Sequence, residues 1–489
     1  MAIFYALHVL SVIGLIVLGA NTFLVALVYL KHRHDNALDP PQVTDWPAVL
    51  VQLPIYNEQH VVERLIDAVA ALDYPRDRLT VQLLDDSTDG TVTIAAAAVD
   101  RARQRGLNIK HVRRPKRTGY KAGALQHGLE LNTAPFVAIF DADFIPEPDF
   151  LKRTIPAFLA DDRLGIVQAR WTHLNEEENL LTRSLSLAFN QHYLIEQTAQ
   201  HRGGMISNFT GSAGVMRRAA IDDSGGWSAR TLSEDLDLSY RMHLRGWGFL
   251  YLPDVTVPAE FPELMMSLKR QQERWAIGTT QCLLRLGPEM VSAPQVTFAQ
   301  KLLALLRMGV YFVHPLLAVY ALTALPLVWS GELGSTIWPI LFGAATLGLP
   351  FQIVMAELQL GRSRWKRLTL LVPYVLMGFG LLVNNCLAVA QAFSKREQEF
   401  KRTPKFSAGR GWVASSYVLT MDITTLLELV LGVILVLTGV VAITRAPTTA
   451  PSLLVMGAGL LYVAGYSIVQ TLAAAKMDSE GQTLLGLAD

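Results

Sequence analysis

Cysteine is nearly missing from this chain: of 489 residues only Cys282 and Cys386 are cysteines. That excludes a disulfide framework and any cysteine-based metal site. Charge is also sparse, at 17% of residues with a net +1, and no long basic run occurs, so nothing points to a nucleic-acid partner. Internal repeats and low-complexity linkers are missing too. Apolar side chains fill the chain instead, 51% of residues, gathered in 6–30 and again after about residue 300. A soluble average does not fit that distribution, and the length leaves room for two or three domains.

The first apolar run, ALHVLSVIGLIVLGANTFLVALVYL (6–30), holds no Asp, Glu, Lys or Arg and is long enough to span a hydrocarbon core of roughly 30 Å. No basic leader precedes it and no small-residue cleavage site is clear, which argues against a signal peptide. Lys31, His32, Arg33 and His34 follow directly, so the positive-inside rule places the chain beyond them in the cytoplasm. Later runs fall at 303–329, 335–356, 368–393, 423–444 and 451–474. The third is flanked by two basic segments, GRSRWKR (361–367) and KREQEFKRTPKFSAGR (395–410), and a single crossing would put one of them outside. Charge therefore favours a 368–393 segment that lies along the interface or re-enters, with Asn384, Asn385 and Gln391 facing protein or water. The expected order is one span in 1–32, two in 301–358, an interfacial or re-entrant helix and a loop in 359–412, two spans in 413–476, and a cytoplasmic tail at 477–489. A six-span arrangement is the alternative.

Residues 45–260 read as a cytoplasmic α/β domain. Strand-like runs at 47–58, 79–90 and 135–146 alternate with helix-like segments at 63–74, 93–106 and 120–132, and NIKHVRRP is a further short strand. Such alternation argues a mostly parallel, Rossmann-like sheet covered on both faces, with its ligand crevice at the carboxyl ends of the strands. Two acidic clusters fall there. DDSTDG (85–90) offers Asp85, Asp86 and Asp89, which also read as a solvated turn closed by Gly90. FDADF (140–144) sets Asp141 and Asp143 two apart at a strand end, on one face, where they can share a divalent cation with substrate phosphates.

Further along, TLSEDLDLSYRMHLRGW (231–247) begins like a helix with Ser233 as N-cap. Glu234 and Asp235 there either complement the helix dipole or supply a general base at a pocket rim. RRPKRTGYKAGAL (113–125) brings Lys116, Arg117 and Lys121 to a helix start, fit to hold a diphosphate or to form a solvated basic turn. FTGSAGVMRRAAIDDSGGW (209–227) carries small residues, among them Gly211 and Ser212, that permit close backbone approach. SLKRQQERWAIG (267–278) places Gln271, Arg274 and Trp275 ahead of the later membrane segments, in a stretch (261–300) expected to form interfacial helices. An interfacial anchor is its plain reading.

Taken in order, Asp85/Asp86, Asp141-x-Asp143, Ser233-Glu234-Asp235 and Gln271-x-x-Arg274-Trp275 resemble the D, D-x-D, T/S-E-D, Q-x-x-R-W pattern of the cellulose-synthase-like branch of family 2 glycosyltransferases. The resemblance covers roughly residues 47–410. It extends to YNE (56–58) and to GYKAGAL (119–125), which is closest to the form seen in plant glucomannan synthases. FTGS (209–212) stands where cellulose synthases have F-C-G-S, and FKRTPK (400–405) is similar to their F-x-V-T-x-K gating loop, with Arg402 in place of Val. The single-span start is more like the mannan synthase group, and the C-terminal regulatory domain of bacterial cellulose synthases is expected to be absent.

The resemblance implies a GT-A type α/β domain embedded in an α-helical transmembrane bundle, and an inverting hexosyltransferase that uses Mg²⁺ or Mn²⁺. It implies Glu58 and Asp85 or Asp86 at the nucleotide, Lys121 at the diphosphate, and Asp141 and Asp143 framing the metal and donor. Asp235 would be the base, with Glu234 and Arg274 completing the catalytic set. Gln271 and Arg274 would hold the departing diphosphate, and Trp275, Gly211 and Ser212 the acceptor. Thr403 and Lys405 would reach the nucleotide when the loop closes. The implied donor is UDP-glucose or GDP-mannose. The implied acceptor is a growing β-linked polysaccharide that the protein also translocates, or alternatively a membrane lipid such as diacylglycerol or ceramide. A reading outside transfer chemistry is a transporter or channel with a nucleotide-sensing domain. The setting is a bacterial cell membrane or the Golgi, and accessory subunits stay open.

Overall fold

The computed structural model describes residues 1–35, 41–334, 336–361, 364–394 and 421–484, so Thr403 and Lys405 lie outside the described residues. The strands are β1 (Val49–Ile55), β2 (Leu79–Asp85), β3 (Ile109–Val112), β4 (Phe136–Ile139), β5 (Leu164–His173), β6 (Gly214–Arg217) and β7 (Gly248–Ala259). They form one seven-stranded sheet in the order β3-β2-β1-β4-β6-β5-β7. β6 runs antiparallel to β4 and β5, while the other pairings are parallel. The sheet is mostly parallel, as alternation with helices implies, and mixed at β6.

β1 shows why the chain folds this way. Val49, Val51, Leu53 and Ile55 join one apolar layer with α2 (Val62–Ala70), α3 (Thr91–Gln104) and α5 (Phe150–Ala160). Leu50 joins a second layer with α4 (Tyr120–Glu130), α8 (Arg218–Asp223) and α9 (Glu234–Leu244) on the opposite face. A central strand covered on both faces reads as a continuous apolar run, with one exception. Gln52 is buried, and so is Gln82, its register partner on β2.

A buried amide left without partners costs about 1–3 kcal/mol, so the bonds of these two decide what they do. Gln52 Nε2 donates to Gln82 Oε1 (3.2 Å) and to the Leu125 carbonyl (3.1 Å), and Gln82 Nε2 donates to the Gly128 carbonyl (2.9 Å). Both bind the backbone of α4 and fix its height over the sheet. α4 can approach so closely because residue 128 has no side chain: a Cβ there would lie 2.3 Å from Gln52 Nε2 and 2.6 Å from Gln82 Oε1.

β2 and β3 lie on one side of β1 and β4 on the other, so the switch point of the winding, and its crevice, fall at the carboxyl ends of β1 and β4. One expectation changes here. The FDADF segment was expected to continue its strand through 146, yet β4 ends at Ile139. The Ile139 carbonyl accepts the Ala213 N–H (2.9 Å), and the chain then turns, with the Phe144 N–H donating to the Asp141 carbonyl (3.1 Å). Asp141 and Asp143 reach the crevice from a turn, and strand alternation does not govern where they point.

Beyond the domain come α10 (Met265–Ser292), α11 (Phe298–Met308), α12 (Val313–Ser330), α13 (Trp338–Thr346), α14 (Gly348–Gln359), α15 (Arg364–Leu368), α16 (Leu371–Gly380), α17 (Leu382–Ala392), α18 (Ile423–Arg445) and α19 (Ala450–Leu484). Five stretches are long and apolar enough to cross a membrane: Ala2–His32 (α1), Val310–Ser330, Trp338–Gln359, Ile423–Arg445 and Ala450–Ala473. Lys366–Gly380 and Leu382–Ala392 form a pair bent by 42°, which adds a sixth if the pair is one span. The stretch 267–278 lies within α10, whose buried face includes Leu268, Lys269, Ala276, Ile277 and Gly278. This helix packs between α9 of the α/β domain and the apolar helices α17 and α19.

Replacing Gly128 by Ala forces a methyl group into the Gln52–Gln82 pair. Overpacking of this kind costs about 1–3 kcal/mol, so Gly128→Ala should lower the thermal midpoint of the purified protein in detergent, where a surface Gly→Ala control does not.

Candidate active site

The site begins where β1 and β2 end side by side, with Ile55 paired to Asp85. The loop after β1 places Asn57 in the left-handed region (φ 56°). Its N–H donates to Ser87 Oγ (2.8 Å), and its Oδ1 accepts the Thr88 N–H (2.8 Å), which latches the two loops together. Successive residues at a strand end point opposite ways, and this separates the adjacent acids. Asp85 is buried; its Oδ1 accepts the Ser87 N–H (2.8 Å) and its Oδ2 meets His111 Nε2 (2.8 Å). Burial would raise its pKa, but His111 and Ser87 outweigh that and hold the carboxyl below its ordinary value. Asp86 points the other way and lines the cavity. Arg114 grips it through Nε to Oδ1 (3.1 Å) and Nη2 to Oδ2 (2.5 Å). Glu58 lines the same cavity, and the Arg117 guanidinium stacks 3.4 Å over the Tyr56 ring. Of the two acids considered for the nucleotide, only Asp86 faces the space a ligand would occupy.

At the centre stands Lys121, in the first turn of α4. Its Nζ donates to Asp141 Oδ1 (2.6 Å) and the Gly211 carbonyl (2.8 Å), and lies 3.8 Å from Glu234 Oε1. Burial would lower its pKa, but Asp141 and Glu234 outweigh burial and hold it above the ordinary lysine value. Gly211 (φ +90°) runs so close to Asp235 that a Cβ on it would lie 3.0 Å from Asp235 Oδ2. Burial and the neighbouring Glu234 carboxylate push the Asp235 carboxyl up to about 7, against the pull of Lys121, the Leu236 N–H and Arg274. A carboxylate tuned near neutrality is matched to general-base work.

Ser212, expected at the acceptor, is instead fully buried, and its hydroxyl accepts the Asp141 N–H (2.9 Å). It shapes the turn that carries Asp141. Ser233 occupies the N-cap position of α9 but makes no side-chain capping bond.

Asp141 and Asp143 both line the cavity; Asp141 is 32% exposed, while Asp143 Oδ2 accepts the Glu260 N–H (3.2 Å). Among the described residues no group of three His, Cys, Asp or Glu converges as a metal cage. Two hard carboxylates lining the cavity, the more exposed one already carrying a cationic head, fit a divalent cation whose other ligands are phosphate oxygens and water.

α10 supplies the opposite wall. Gln271, Arg274 and Trp275, at helical spacing, all line the cavity. The helix comes this close because of Gly278: a Cβ there would lie 2.2 Å from Ser233 Oγ and 2.6 Å from Ser233 N. The contact is extended by Gln281 Oε1, which accepts the Leu232 N–H (3.0 Å), and by buried Asp237, which pairs with Arg241 (2.7 Å) and Arg285 (3.2 Å). The start of α9, with Glu234 and Asp235, is thus fixed against the helix that bears Arg274.

The cavity encloses about 680 Å³ and runs from Tyr56 and Arg117, past Asp235, to Tyr311, His314 and Leu381 among the apolar helices beyond the domain. Part of its wall was not foreseen. α6 (Leu180–Gln191) and α7 (Gln197–Arg202) join through a π-helical turn, His192–Glu196, which brings Phe189, Tyr193 and Glu196 to the cavity. Tyr193 OH donates to Thr210 Oγ1 (3.1 Å), and Glu196 pairs with Arg307 (2.7 Å). Burial would raise the Glu196 pKa, but Arg307 and His192 outweigh it and hold the carboxyl far below the usual range. The segment HYLIE carries no pattern that marks it as site wall.

The sheet and the helices on its two faces have the GT-A fold, and residues 47–278 match the family model described as "Glycosyltransferase like family 2". Two similar plant proteins carry the same activity in their names. The chain is 40% identical over 279 residues to "Glucomannan 4-beta-mannosyltransferase 2" of Arabidopsis thaliana, which covers 56% of this chain and 52% of that protein. It is 40% identical over 270 residues to "Glucomannan 4-beta-mannosyltransferase 1" of Oryza sativa subsp. japonica, covering 54% and 52%. The chain thus spans about half the length of the curated relatives it matches. Among solved structures it is similar in fold to the mannosyltransferase PcManGT of Pyrobaculum calidifontis, with TM-score 0.53, 21% identity, and coverage of 79% of this chain and 100% of that one.

Gly278→Ala should separate α10 from Ser233. The expected outcome is a loss of at least about tenfold in kcat with nucleotide binding retained, measured by transfer assay and calorimetry on the same preparation.

Proposed function

We propose that this protein is an inverting hexosyltransferase that moves a sugar from a nucleotide donor to a growing β-linked glycan. The observation that carries this reading is one cavity holding Lys121, Asp141, Asp235, Gln271 and Arg274 and continuing among the membrane helices. Asp235 takes the proton of the acceptor hydroxyl. The freed oxygen attacks the anomeric carbon, the bond from that carbon to the diphosphate breaks, and its electron pair leaves with the nucleoside diphosphate. A single displacement of this kind inverts the anomeric centre. Arg274, Gln271 and Lys121 lie where charge grows on the leaving group, the place where fixed electrostatic help is largest. Asp141 and Asp143 would hold the divalent cation, which when bound neutralises diphosphate charge. Asp86 and Glu58, with Tyr56 and Arg117, sit at the nucleotide end.

Trp275 and Phe189, with ring centroids 6.5 Å apart, offer apolar faces of the kind a sugar ring stacks on. The mannosyltransferase names of the relatives at 40% identity, and a fold neighbour in complex with GDP-Man and Mn²⁺, favour GDP-mannose over UDP-glucose. The same cavity is the route by which the product would pass between the helices, with residues 45–260 on the cytoplasmic side of five spans.

Incubation of purified protein with labelled GDP-mannose and Mn²⁺, followed by product sizing, tests the reading. A β-linked polymer supports it; a chloroform-soluble product would instead assign a lipid acceptor. Asp235→Asn should abolish transfer, by about 10²-fold or more, while leaving nucleotide binding intact. A base raised to about 7 is protonated below that pH, so the rate should rise as pH increases through about 7. Glu234→Gln removes the neighbouring negative charge and should move this limb to lower pH. An unmoved limb in the pH–rate profile would assign the titration to another group.

A further inference from the structure

α10 is held on its membrane side by contacts that the transfer chemistry does not use. Lys269, two residues before Gln271, is 1% exposed, and its ammonium lies 2.9 and 3.0 Å from the two carboxylate oxygens of fully buried Glu428 on α18. Thr425 Oγ1 lies 3.4 Å from the same ammonium. The same turn is tied to α17, where Asn384 Nδ2 donates to the Lys269 carbonyl (3.0 Å) and to Asn385 Oδ1 (3.0 Å). Asn385 Nδ2 in turn meets His314 Nε2 on α12 at 2.9 Å. A line of polar groups thus crosses α18, α10, α17 and α12 in apolar surroundings.

Stability does not account for it. Taking two charges out of water costs several kcal/mol per ion, and well-packed apolar replacements of a buried pair are often neutral or better. A buried pair does select one geometry, whereas apolar contact alone lets a helix slide or roll. α10 is fixed at one point by Gly278 against Ser233 and at a second by Lys269 against Glu428. Gln271, Arg274 and Trp275 lie between the two.

We propose that the Lys269–Glu428 pair is a positioning device for the transfer site: it sets the register of α10 so that Gln271 and Arg274 meet the departing diphosphate. This rests on the transferase reading. Neither residue touches the substrate in this account, and both act through α10.

The test replaces the pair by apolar side chains of similar length, Lys269→Met with Glu428→Met, and compares thermal midpoint, kcat and donor KM with those of the wild type. A positioning role predicts a preserved midpoint, a kcat lowered about 10- to 100-fold and a donor KM changed less than about threefold, since small misplacements act mainly on the transition state. Glu428→Asp keeps both charges but draws α10 by one methylene, and should lower kcat with the midpoint unchanged. This second variant decides the question if the double variant does not fold. Wild-type kcat in a folded double variant or in Glu428→Asp would overturn the proposal. So would a kcat loss that only follows the fraction of folded protein. An inactive wild type that binds GDP and Mn²⁺ would instead sink the transferase reading.

Discussion

One ammonium group holds the centre of this molecule together. Asp141 comes from one part of the chain and Glu234 and Asp235 from another, and the three converge on one cavity, where like charges at close range repel. Lys121 lies within 4 Å of the first two and beside the third, and its charge makes their approach tolerable. That requirement reaches back into the sheet. Lys121 is placed by α4, and α4 by two glutamines that a central sheet would otherwise reject. It reaches forward too, since the same charge opposes the upward push of burial and Glu234 on the Asp235 carboxyl.

The second constraint is steric. α9 and α10 meet with almost no space between backbones, and Gly278 is the reason. Electrostatics fix what the acids can do, and this contact fixes what they face. The two act on neighbouring residues, so a change at 278 alters the surroundings of Asp235 without touching its chemistry.

Much of this was legible in the sequence for identifiable reasons. The first half of the α/β domain has strands buried on both faces and helices with clear apolar spacing, so its elements stand out. The four acidic and basic motifs are specific in order although weak singly, and the cavity gathers residues from all of them. Other parts were not legible. β5 is buried along its first half and only partly along its second, which blurs its period. The π-helical turn at 192–196 breaks the 3.6-residue repeat that would have revealed Tyr193 and Glu196 as neighbours in one wall. Arg307, Tyr311 and His314 are hidden by apolar company, since composition does not tell which face of a membrane-bound helix borders a cavity. Asp85 and Asp86 are equivalent as letters, and only the direction of a strand end separates them. Ser212 lies in a motif that reads as ligand-facing, yet its neighbour's backbone claims the hydroxyl.

Because α10 supplies one wall of the cavity, the α/β domain has no clean seam. A fragment ending near residue 260 would retain Lys121, the acidic turn and Asp235 but lose Gln271, Arg274 and Trp275. It would also expose the face of α9 on which Leu236 and Tyr240 pack against Cys282 and Leu286. A fragment extended through Ser292 would instead carry Met265 and Leu268, which pack against Met377 and Val463 of the membrane helices. The domain is therefore poorly suited to excision or exchange as a module. Transplanting its specificity into another scaffold would mean moving the sheet, α10 and the helices beneath it as one block.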